Sequence, residues 1–426
     1  MTEYFTIQIG DGRSPQPTSY VASRNDCYRD LSSLCEMTST TKLALLLLGA
    51  HGVTACTTSH DCSLNGVCTV STGVCACDVA WKGPTCGQLD LLAPAKLTPA
   101  YKPAQGTSWG GSVVAHGTSY HMFVAEMANG CGMKTWATNS IIRHAVSSAP
   151  AGPYIAQDTV MPPFSHNPTA VRAPDGTVLI YHIGCGTLNK GITPCLDCTN
   201  GASGKSCKGT GEAVACNTTT TNILYLNAST QSSDPTLKGP WNQLNAPFTP
   251  SPTMGSPYQV DNPTVTFFQN GSLLMLGRGG DLHHEAQSDG VITARSWRGP
   301  YIMHTKVGDA QSPEVEDPFV WQDKRGNFHA LFHKFTDEHP NCGGHAFSTD
   351  GFTWTMTNEE AYTTTVQTAD GVNHTFTRRE RPHLLFAGTQ PIMLFTSLTN
   401  WGKAGADDSA FTFAHELRAL PQTSSR

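Results

Sequence analysis

The chain has 426 residues, of which 38% are hydrophobic and only 14% are charged, a balance that indicates a globular protein with a substantial core. The formal net charge is -6 and the sequence contains no basic run, which argues against nucleic acid or an anionic membrane as the main partner. The 40 glycines and 27 prolines indicate many turns.

The first recognisable element begins at Met37. A short polar stretch that includes Lys42 precedes an apolar segment over residues 43–48, and small residues follow it. This order is typical of a secretory signal peptide, and the apolar segment is shorter than the ~20 residues that a transmembrane helix requires. We therefore predict a signal peptide over residues 37–55 and a secreted, extracellular or cell-wall protein without a membrane span. A single-pass anchor is the alternative. Residues 1–36 show no periodicity and are interpreted as a non-native extension.

Six cysteines follow in residues 56–86, which read "CTTSHDCSLNGVCTVSTGVCACDVAWKGPTC". Cysteines of secreted proteins are expected to pair. The spacing, with Trp81 and Gly83 before the last cysteine, resembles the EGF-like family. The resemblance implies the pairs Cys56 with Cys68, Cys62 with Cys75, and Cys77 with Cys86. The acidic residues of calcium-binding members are absent before the first cysteine, so we expect no calcium and a role in adhesion or spacing.

Residues from about 91 to 420 repeat one pattern, in which a proline is followed by an apolar strand, a turn and a second strand. Four copies read "HNPTAVRAPDGTVLIYHIG", "DNPTVTFFQNGSLLMLGRG", "EDPFVWQDKRGNFHALFHK" and "ERPHLLFAGTQPIMLFTSL". A degenerate copy, "GGSVVAHGTSYHMFVAEM", precedes them. A period of roughly 55 residues with three or four short strands is typical of a β-propeller. The sequence therefore predicts an all-β fold, a five-bladed β-propeller behind a small disulfide-rich module.

An insertion over about residues 187–220 lengthens the gap between the first two clear repeats. It carries Cys195, Cys198, Cys207 and Cys216, for which disulfides are favoured over zinc in a secreted chain. Cys131 and Cys185 follow the second strands of neighbouring blades and are candidates to bridge them, which would leave Cys342 unpaired.

The repeat also predicts a site, because the first strand of each propeller blade begins at the face where the second strand ends. Polar residues therefore converge on one mouth of the central channel. The positions two before each proline are His166, Asp261, Glu316 and Glu380, with Gly110 in the degenerate copy. The second strands end at Glu126, His182, Arg278 and His333. An alternative reading as turn-forming residues stays open for Asn167, Asn262 and Glu314.

These units resemble the five-bladed propeller glycoside hydrolases of the family 43 and family 32 group. The resemblance rests on the Asp-Pro and Asn-Pro strand starts and on the "GPY" or "GPW" endings at Gly152, Gly239 and Gly299. It implies a polysaccharide or glycan as partner, no cofactor, and three carboxylates on the axis: a base on the first blade, a pKa-modulating Asp on the third and a general-acid Glu on the fourth.

Glu316 matches the general acid, and Asp317 or Asp261 would raise its pKa. Gly110 and Gly111 stand where the base belongs, and Glu126 is the candidate substitute. If there is no substitute, the protein is a non-catalytic extracellular propeller that binds glycan or protein, with the EGF-like module as spacer. The predicted binding residues are His166, His182, Arg278, Asp317, His333, Glu380 and Trp109, with Trp136 and Trp401 as further stacking candidates.

No metal site is predicted, because the "HHE" run at residues 283–285 is interpreted as a solvated or substrate-lining loop. Four asparagines occur in the Asn-x-Ser/Thr pattern of N-glycosylation, namely Asn217, Asn227, Asn270 and Asn373.

Overall fold

The structure of the protein is a computed structural model. It describes residues 55–186, 221–226, 236–245, 248–249, 260–279, 288–306, 315–334 and 342–419, with two short strands nearer the N-terminus. The contacts divide the chain into residues 1–54 and residues 55–426. In the first unit, Phe5–Ile7 pairs antiparallel with Tyr20–Ala22. Among the described residues, no helix has both the length and the apolar character needed to cross a membrane.

The second unit contains the predicted five-bladed propeller. Each blade is an antiparallel sheet whose strands follow one another in chain order from the axis outward. Blade 1 consists of Ser108–His116, Ser119–Met127, Ser140–Ser147 and Ile155–Met161, and blade 2 of Ser165–Arg172, Val178–Gly184, Thr221–Leu226 and Asn242–Asn245. Blade 3 consists of Asp261–Phe267, Leu273–Gly279, Ser288–Ala294 and Tyr301–Lys306, with Phe248–Thr249 added at its outer edge in parallel.

Blade 4 consists of Val315–Gln322, Phe328–Lys334, Cys342–Ser348 and Thr355–Met356, and blade 5 of Arg378–Ala387, Gln390–Thr399 and Ala410–Glu416. The first strand of every blade contacts the first strands of both neighbouring blades, so the five strands form a closed ring around the axis. The second strands are buried on both faces because blades pack against each other on both sides. Val178–Gly184, for example, is buried at every position.

All five first strands carry a β-bulge at the same place. The register shifts after Trp109, His166, Asp261, Glu316 and Glu380. The next residue is left-handed in every blade, with φ between 49° and 73°, at Gly110, Asn167, Asn262, Asp317 and Arg381. A β-bulge changes the direction of the side chains next to it. In these strands it turns side chains toward the mouth of the channel.

The positions of the bulges correct the alignment of the degenerate copy with the other four repeats by one residue. Trp109, and not Gly110, occupies the position two before the proline. Gly110 therefore corresponds to the residue before the proline, and Gly111 corresponds to the proline itself. Glycine suits Gly110 because it adopts a positive φ without steric cost.

The cysteine-rich module, residues 56–86, has the three disulfides that its resemblance implied: Cys56–Cys68, Cys62–Cys75 and Cys77–Cys86. Its short hairpins are Gly66–Thr69 with Val74–Cys77 and Trp81–Lys82 with Gln88–Leu89, and a 3₁₀ turn spans Ser59–Cys62.

The cysteine-rich module packs against the propeller, and its expected role in adhesion or spacing stays a prediction. Trp81 is buried and stacks on Trp321 of blade 4, with ring centroids 6.3 Å apart. Asp78 forms an ion pair with Arg325 of the same blade. The module and blades 4 and 5 therefore share one hydrophobic core.

The remaining cysteines divide into two groups. Cys131 and Cys185 are each disulfide-bonded, whereas Cys342 is a buried free thiol. The inserted segment 187–220, with its four cysteines, lies outside the described residues, as do Asn217 and Asn227.

Asn270 and Asn373 are both exposed in short hairpins, so we expect both to carry glycans in a eukaryotic secretory pathway. The Asn270 side-chain oxygen accepts hydrogen bonds from Ser272, which leaves its amide nitrogen facing solvent. For protein expressed through such a pathway, digestion with a peptide amidase that removes N-linked glycans should lower the mass. A double Asn→Gln variant at these two positions should show a smaller decrease in mass on digestion. An equal decrease in the double variant would contradict the assignment of these sites.

Candidate functional site

The residues before the five recurring bulges meet in a cavity of about 210 Å³ at the channel mouth, here called the axial cavity. The first strands of blades 1 to 5 contribute Trp109, His166, Asp261, Glu316 and Glu380 in that order, together with the left-handed residues Asn167, Asn262 and Asp317. Arg278, Ile183, Arg378, Met133, Trp136 and Trp401 complete its lining.

The register of each hairpin decides which second-strand residues face these groups. Asp261 lies opposite Arg278, and Glu316 lies opposite His333. In blade 2, however, His166 lies opposite Ile183 and not His182, and in blade 1 Trp109 lies opposite Ala125 and not Glu126. Because side chains of a strand alternate between its two faces, this offset of one residue turns His182 and Glu126 to the other face.

Glu126 therefore does not line the axial cavity as a substitute base. Its carboxylate accepts hydrogen bonds from Arg143, at 2.8 and 3.2 Å, and from the Tyr101 hydroxyl. His182 is also absent from the lining, and burial lowers its pKa to about 4. The first strand of blade 1 thus brings the indole of Trp109 to the cavity, where the resemblance placed a carboxylate.

Glu316 is held as an ionised carboxylate. It forms an ion pair with Arg278, and its Oε1 lies 3.2 Å from Nδ1 of His333. Burial alone would raise the pKa of Glu316, but the hydrogen bond from His333 and the charges of Arg278 and Arg381 outweigh it and lower that pKa. The resemblance implies a proton donor at this position, a role that requires a protonated carboxyl group.

His333 connects two blades through its two ring nitrogens. Its Nδ1 faces Glu316, and its Nε2 lies 3.4 Å from Oε1 of Glu380 on blade 5. Burial disfavours the imidazolium, yet the two carboxylates together raise the pKa of His333 above its ordinary value. The protonated form of His333 is therefore favoured, and its hydrogen bond and charge in turn lower the pKa of Glu316.

Two other carboxyl groups of the cavity hold their protons more tightly. Burial raises the pKa of Asp261 to about 7, although Arg278 opposes the shift. Burial likewise raises the pKa of Glu380 to about 7 against the charges of His333 and Arg378. One cavity therefore combines an ionised carboxylate with two carboxyl groups that are protonated in mildly acidic solution.

The left-handed residues form a second polar layer at the axis. Asn167 donates a hydrogen bond to the Asn262 side-chain oxygen, and Arg381 forms a buried ion pair of 3.2 Å with Asp317. The Asn167 side-chain oxygen has no hydrogen-bond partner among the described residues. It is therefore available to a hydroxyl group of a ligand in the cavity.

Three tryptophans line the cavity, as the sequence suggested for a stacking platform. Trp136 is the most accessible of them, with 37% of its surface exposed, and its ring lies 5.3 Å from that of His166. The guanidinium of Arg378 lies over the Trp401 ring at 4.7 Å. Arg378 and Arg381 were not among the predicted site residues, although both belong to the "RRERP" run that ends at Pro382.

The residues Glu316, Asp317, His333 and Glu380 place four ligand-type atoms within 4.8 Å of one another. Arg278, Arg378 and Arg381 already pair with these acids and supply the positive charge that a cation would otherwise bring. We assign no metal to the cluster. Glu314 and the "HHE" run at residues 283–285 lie outside the described residues.

No protein-family model and no curated protein matches this sequence. Among solved structures, the chain is similar to a family 43 β-1,3-galactosidase, with a TM-score of 0.46 and 12% identity over 76% of this chain and 59% of that one. It is also similar to an exo-β-1,3-galactanase from Clostridium thermocellum, with a TM-score of 0.46 and 11% identity over 78% of this chain and 63% of that one. A family 117 glycoside hydrolase from the marine bacterium Zobellia galactanivorans gives a TM-score of 0.47 and 11% identity over 76% and 90%.

Proposed function

We propose that the protein is a glycoside hydrolase that cleaves a terminal sugar from a polysaccharide in the axial cavity, with Asp261 as proton donor and Glu316 as the ionised partner. The observation that carries the proposal is that Asp261 and Glu316 line one cavity beside the same Arg278, which lies opposite Asp261 and forms an ion pair with Glu316. The surroundings raise the pKa of Asp261 and lower the pKa of Glu316. Two carboxyl groups whose environments push their pKa values apart are the usual basis of acid and base roles in one site.

In the proposed reaction, the Asp261 carboxyl donates its proton to the glycosidic oxygen as the bond to the sugar's anomeric carbon breaks. Glu316 either removes a proton from the attacking water or attacks the anomeric carbon itself. Arg278 and His333 keep Glu316 ionised in both cases. The remaining polysaccharide is the leaving group and gains the proton of Asp261. Water finally supplies the hydroxyl group at the anomeric carbon of the released terminal sugar.

The size of the cavity supports a terminal unit as substrate. Its volume of about 210 Å³ is smaller than the ~300–1,000 Å³ of typical ligand sites, so it suits one sugar residue rather than a run of them. Trp136 offers an exposed indole face on which a sugar ring can stack, and Asn167 offers an unpaired amide oxygen.

A binding-only function is the second candidate, and one specific observation favours it. The first strand of blade 1 contributes Trp109 to the axial cavity but no carboxylate, and Glu126 is held elsewhere by Arg143. A propeller of this kind would retain a glycan in the axial cavity without cleaving it.

We further propose that the protein acts outside the cell, as a secreted or cell-wall protein. The signal-like run over residues 37–55 and the three disulfides of the cysteine-rich module support this location.

The test of the proposed function is release of monosaccharide from arabinan, xylan, galactan or fructan across a range of pH. We expect a bell-shaped profile of kcat/KM. Activity should rise as Glu316 ionises in the acid range and fall as the pH increases through about 7, where Asp261 loses its proton. Retention on a polysaccharide affinity gel without any release of sugar would support the binding-only candidate instead.

The same shifts predict how stability depends on pH. Asp261 and Glu380 bind protons more tightly in the folded chain than in the unfolded chain, because burial raises both pKa values to about 7. Their contribution to stability is therefore complete below the unfolded pKa of about 4 and is lost as the pH increases through about 7.

A further inference from the structure

A second cavity, of about 580 Å³, lies where the end of the cysteine-rich module meets blades 4 and 5, and we call it the side cavity. It shares no lining residue with the axial cavity. Its lining includes Lys82, Gln88, Asn358, Tyr362 and Arg379. Its volume falls within the ~300–1,000 Å³ of small-molecule sites.

Arg379 is a fully buried arginine without a carboxylate partner among the described residues. Its guanidinium donates to the Thr396 hydroxyl, the Thr363 carbonyl oxygen and Nδ1 of His415, at 3.1 to 3.2 Å. These bonds use three of its five N–H donors. A buried charge that is hydrogen-bonded only to neutral groups is costly, so an anion in the cavity would find an unneutralised partner.

Tyr362 supplies a second unused group at the same wall. Only 3% of its surface is exposed, and its hydroxyl has no hydrogen-bond partner among the described residues. The Arg379 guanidinium lies over the Tyr362 ring at 5.0 Å, so the two side chains form one surface. A buried hydroxyl without a partner is rare in folded proteins and indicates a ligand or a function.

The other charged groups of the lining do not neutralise Arg379. Burial and the arginine itself lower the pKa of His415 to about 3, so its imidazole is neutral. Lys82 adds a second positive charge, and its Nζ is 3.6 Å from Asp90. Glu360 also lines the cavity, but its carboxylate interacts with the Cys342 thiol.

We propose that the side cavity binds a carboxylate-bearing ligand of the size of an acidic monosaccharide. Arg379 receives the carboxylate, the Tyr362 hydroxyl donates a hydrogen bond to it, and the side-chain amides of Gln88 and Asn358 bind the sugar hydroxyls. An inorganic anion would leave most of the 580 Å³ unfilled. Leu89 and Leu91 supply apolar surface for the ring.

Calorimetric titration of the full chain with glucuronate, glucose and sulfate at constant ionic strength tests this site. We expect glucuronate to bind with one-to-one stoichiometry and glucose at least about 10-fold more weakly, because glucose lacks the carboxylate. A glucuronate-containing oligosaccharide in a parallel titration distinguishes a free acidic sugar from an acidic unit of a polymer. Tighter binding of the oligosaccharide would identify the polymer as the source.

Two variants separate recognition from folding. Tyr362→Phe removes only an unpaired hydroxyl, so the affinity for glucuronate should fall about 10-fold while the melting temperature does not fall. Arg379→Lys keeps the charge but loses the fork geometry, and it should weaken binding by about 10-fold or more. Val70→Ala, at an exposed position of the cysteine-rich module that lines neither cavity, is the control and should leave glucuronate binding unchanged. No binding by the wild type, unchanged affinity in both side-cavity variants, or equal affinity for sulfate would overturn the proposal.

Discussion

Asp261→Asn should lower the rate of polysaccharide hydrolysis by about 100- to 10,000-fold while leaving sugar binding intact. Asparagine preserves the size of the side chain but has no proton to donate. In the wild type, burial raises the pKa of Asp261 to about 7 and so keeps that proton available in mildly acidic solution. The measurement is the initial rate of sugar release, with binding followed separately on a polysaccharide affinity gel.

Glu316→Gln should cause a loss of similar size, and the choice of substrate distinguishes the two roles. An aryl glycoside with a good leaving group needs little protonation, so Asp261→Asn should lose much less activity on it than on polysaccharide. The loss in Glu316→Gln should be large on both substrates. If Glu316→Gln instead lost much less activity on the aryl glycoside than on polysaccharide, while Asp261→Asn lost activity on both, Glu316 would be the proton donor. That is the role that the resemblance to family 43 implies.

A matched control for these variants is Glu416→Gln, which changes an exposed glutamate at the end of the last strand. It should leave the rate unchanged, because Glu416 does not line the axial cavity. Wild-type rates in both Asp261→Asn and Glu316→Gln would exclude the axial cavity as the site of hydrolysis.

Trp81→Ala should destabilise the protein by about 3–5 kcal/mol, the usual cost of removing a buried tryptophan. Trp81 belongs to the core that the cysteine-rich module shares with blades 4 and 5, and its indole stacks on Trp321. Truncation leaves a cavity at this junction and exposes Trp321. Urea denaturation should show a lower midpoint and, because the module packs on the propeller, one cooperative transition.

Val70→Ala provides the control within the same module, since Val70 is 70% exposed. Its effect should stay within about 0.5 kcal/mol. If Trp81→Ala were equally mild, the packing of the module on blades 4 and 5 would contribute little to stability in solution.

The architecture was readable from the sequence because it repeats. The prolines at positions 168, 263, 318 and 382 mark the first strands of four blades, and the residue before each of them recurs in a left-handed bulge. The six cysteines of residues 56–86 likewise paired as their spacing and family resemblance implied. Both features are local: a repeat unit or a cysteine framework is written in a continuous stretch of chain.

The composition of the axial cavity was predicted only in part. Asp261 and Glu316 were identified with their register partners Arg278 and His333, because the hairpins of blades 3 and 4 keep the expected alignment. His182 was displaced by one residue, which is enough to turn its side chain away from the cavity. Which residue of the second strand faces the cavity depends on the exact position of each bulge. The sequence does not mark that position uniquely.

The sequence by itself determined the fold, the position of the channel mouth and the acidic character of its wall. Only the tertiary structure decided the charge states, because the partners that set them come from other parts of the chain. Arg278 of blade 3 and His333 of blade 4 keep Glu316 ionised, whereas burial between blades raises the pKa of Asp261. The side cavity follows the same rule, because it forms only when the cysteine-rich module and blades 4 and 5 pack together. That packing buries Arg379, which has no carboxylate partner in the part of the chain that the structure describes.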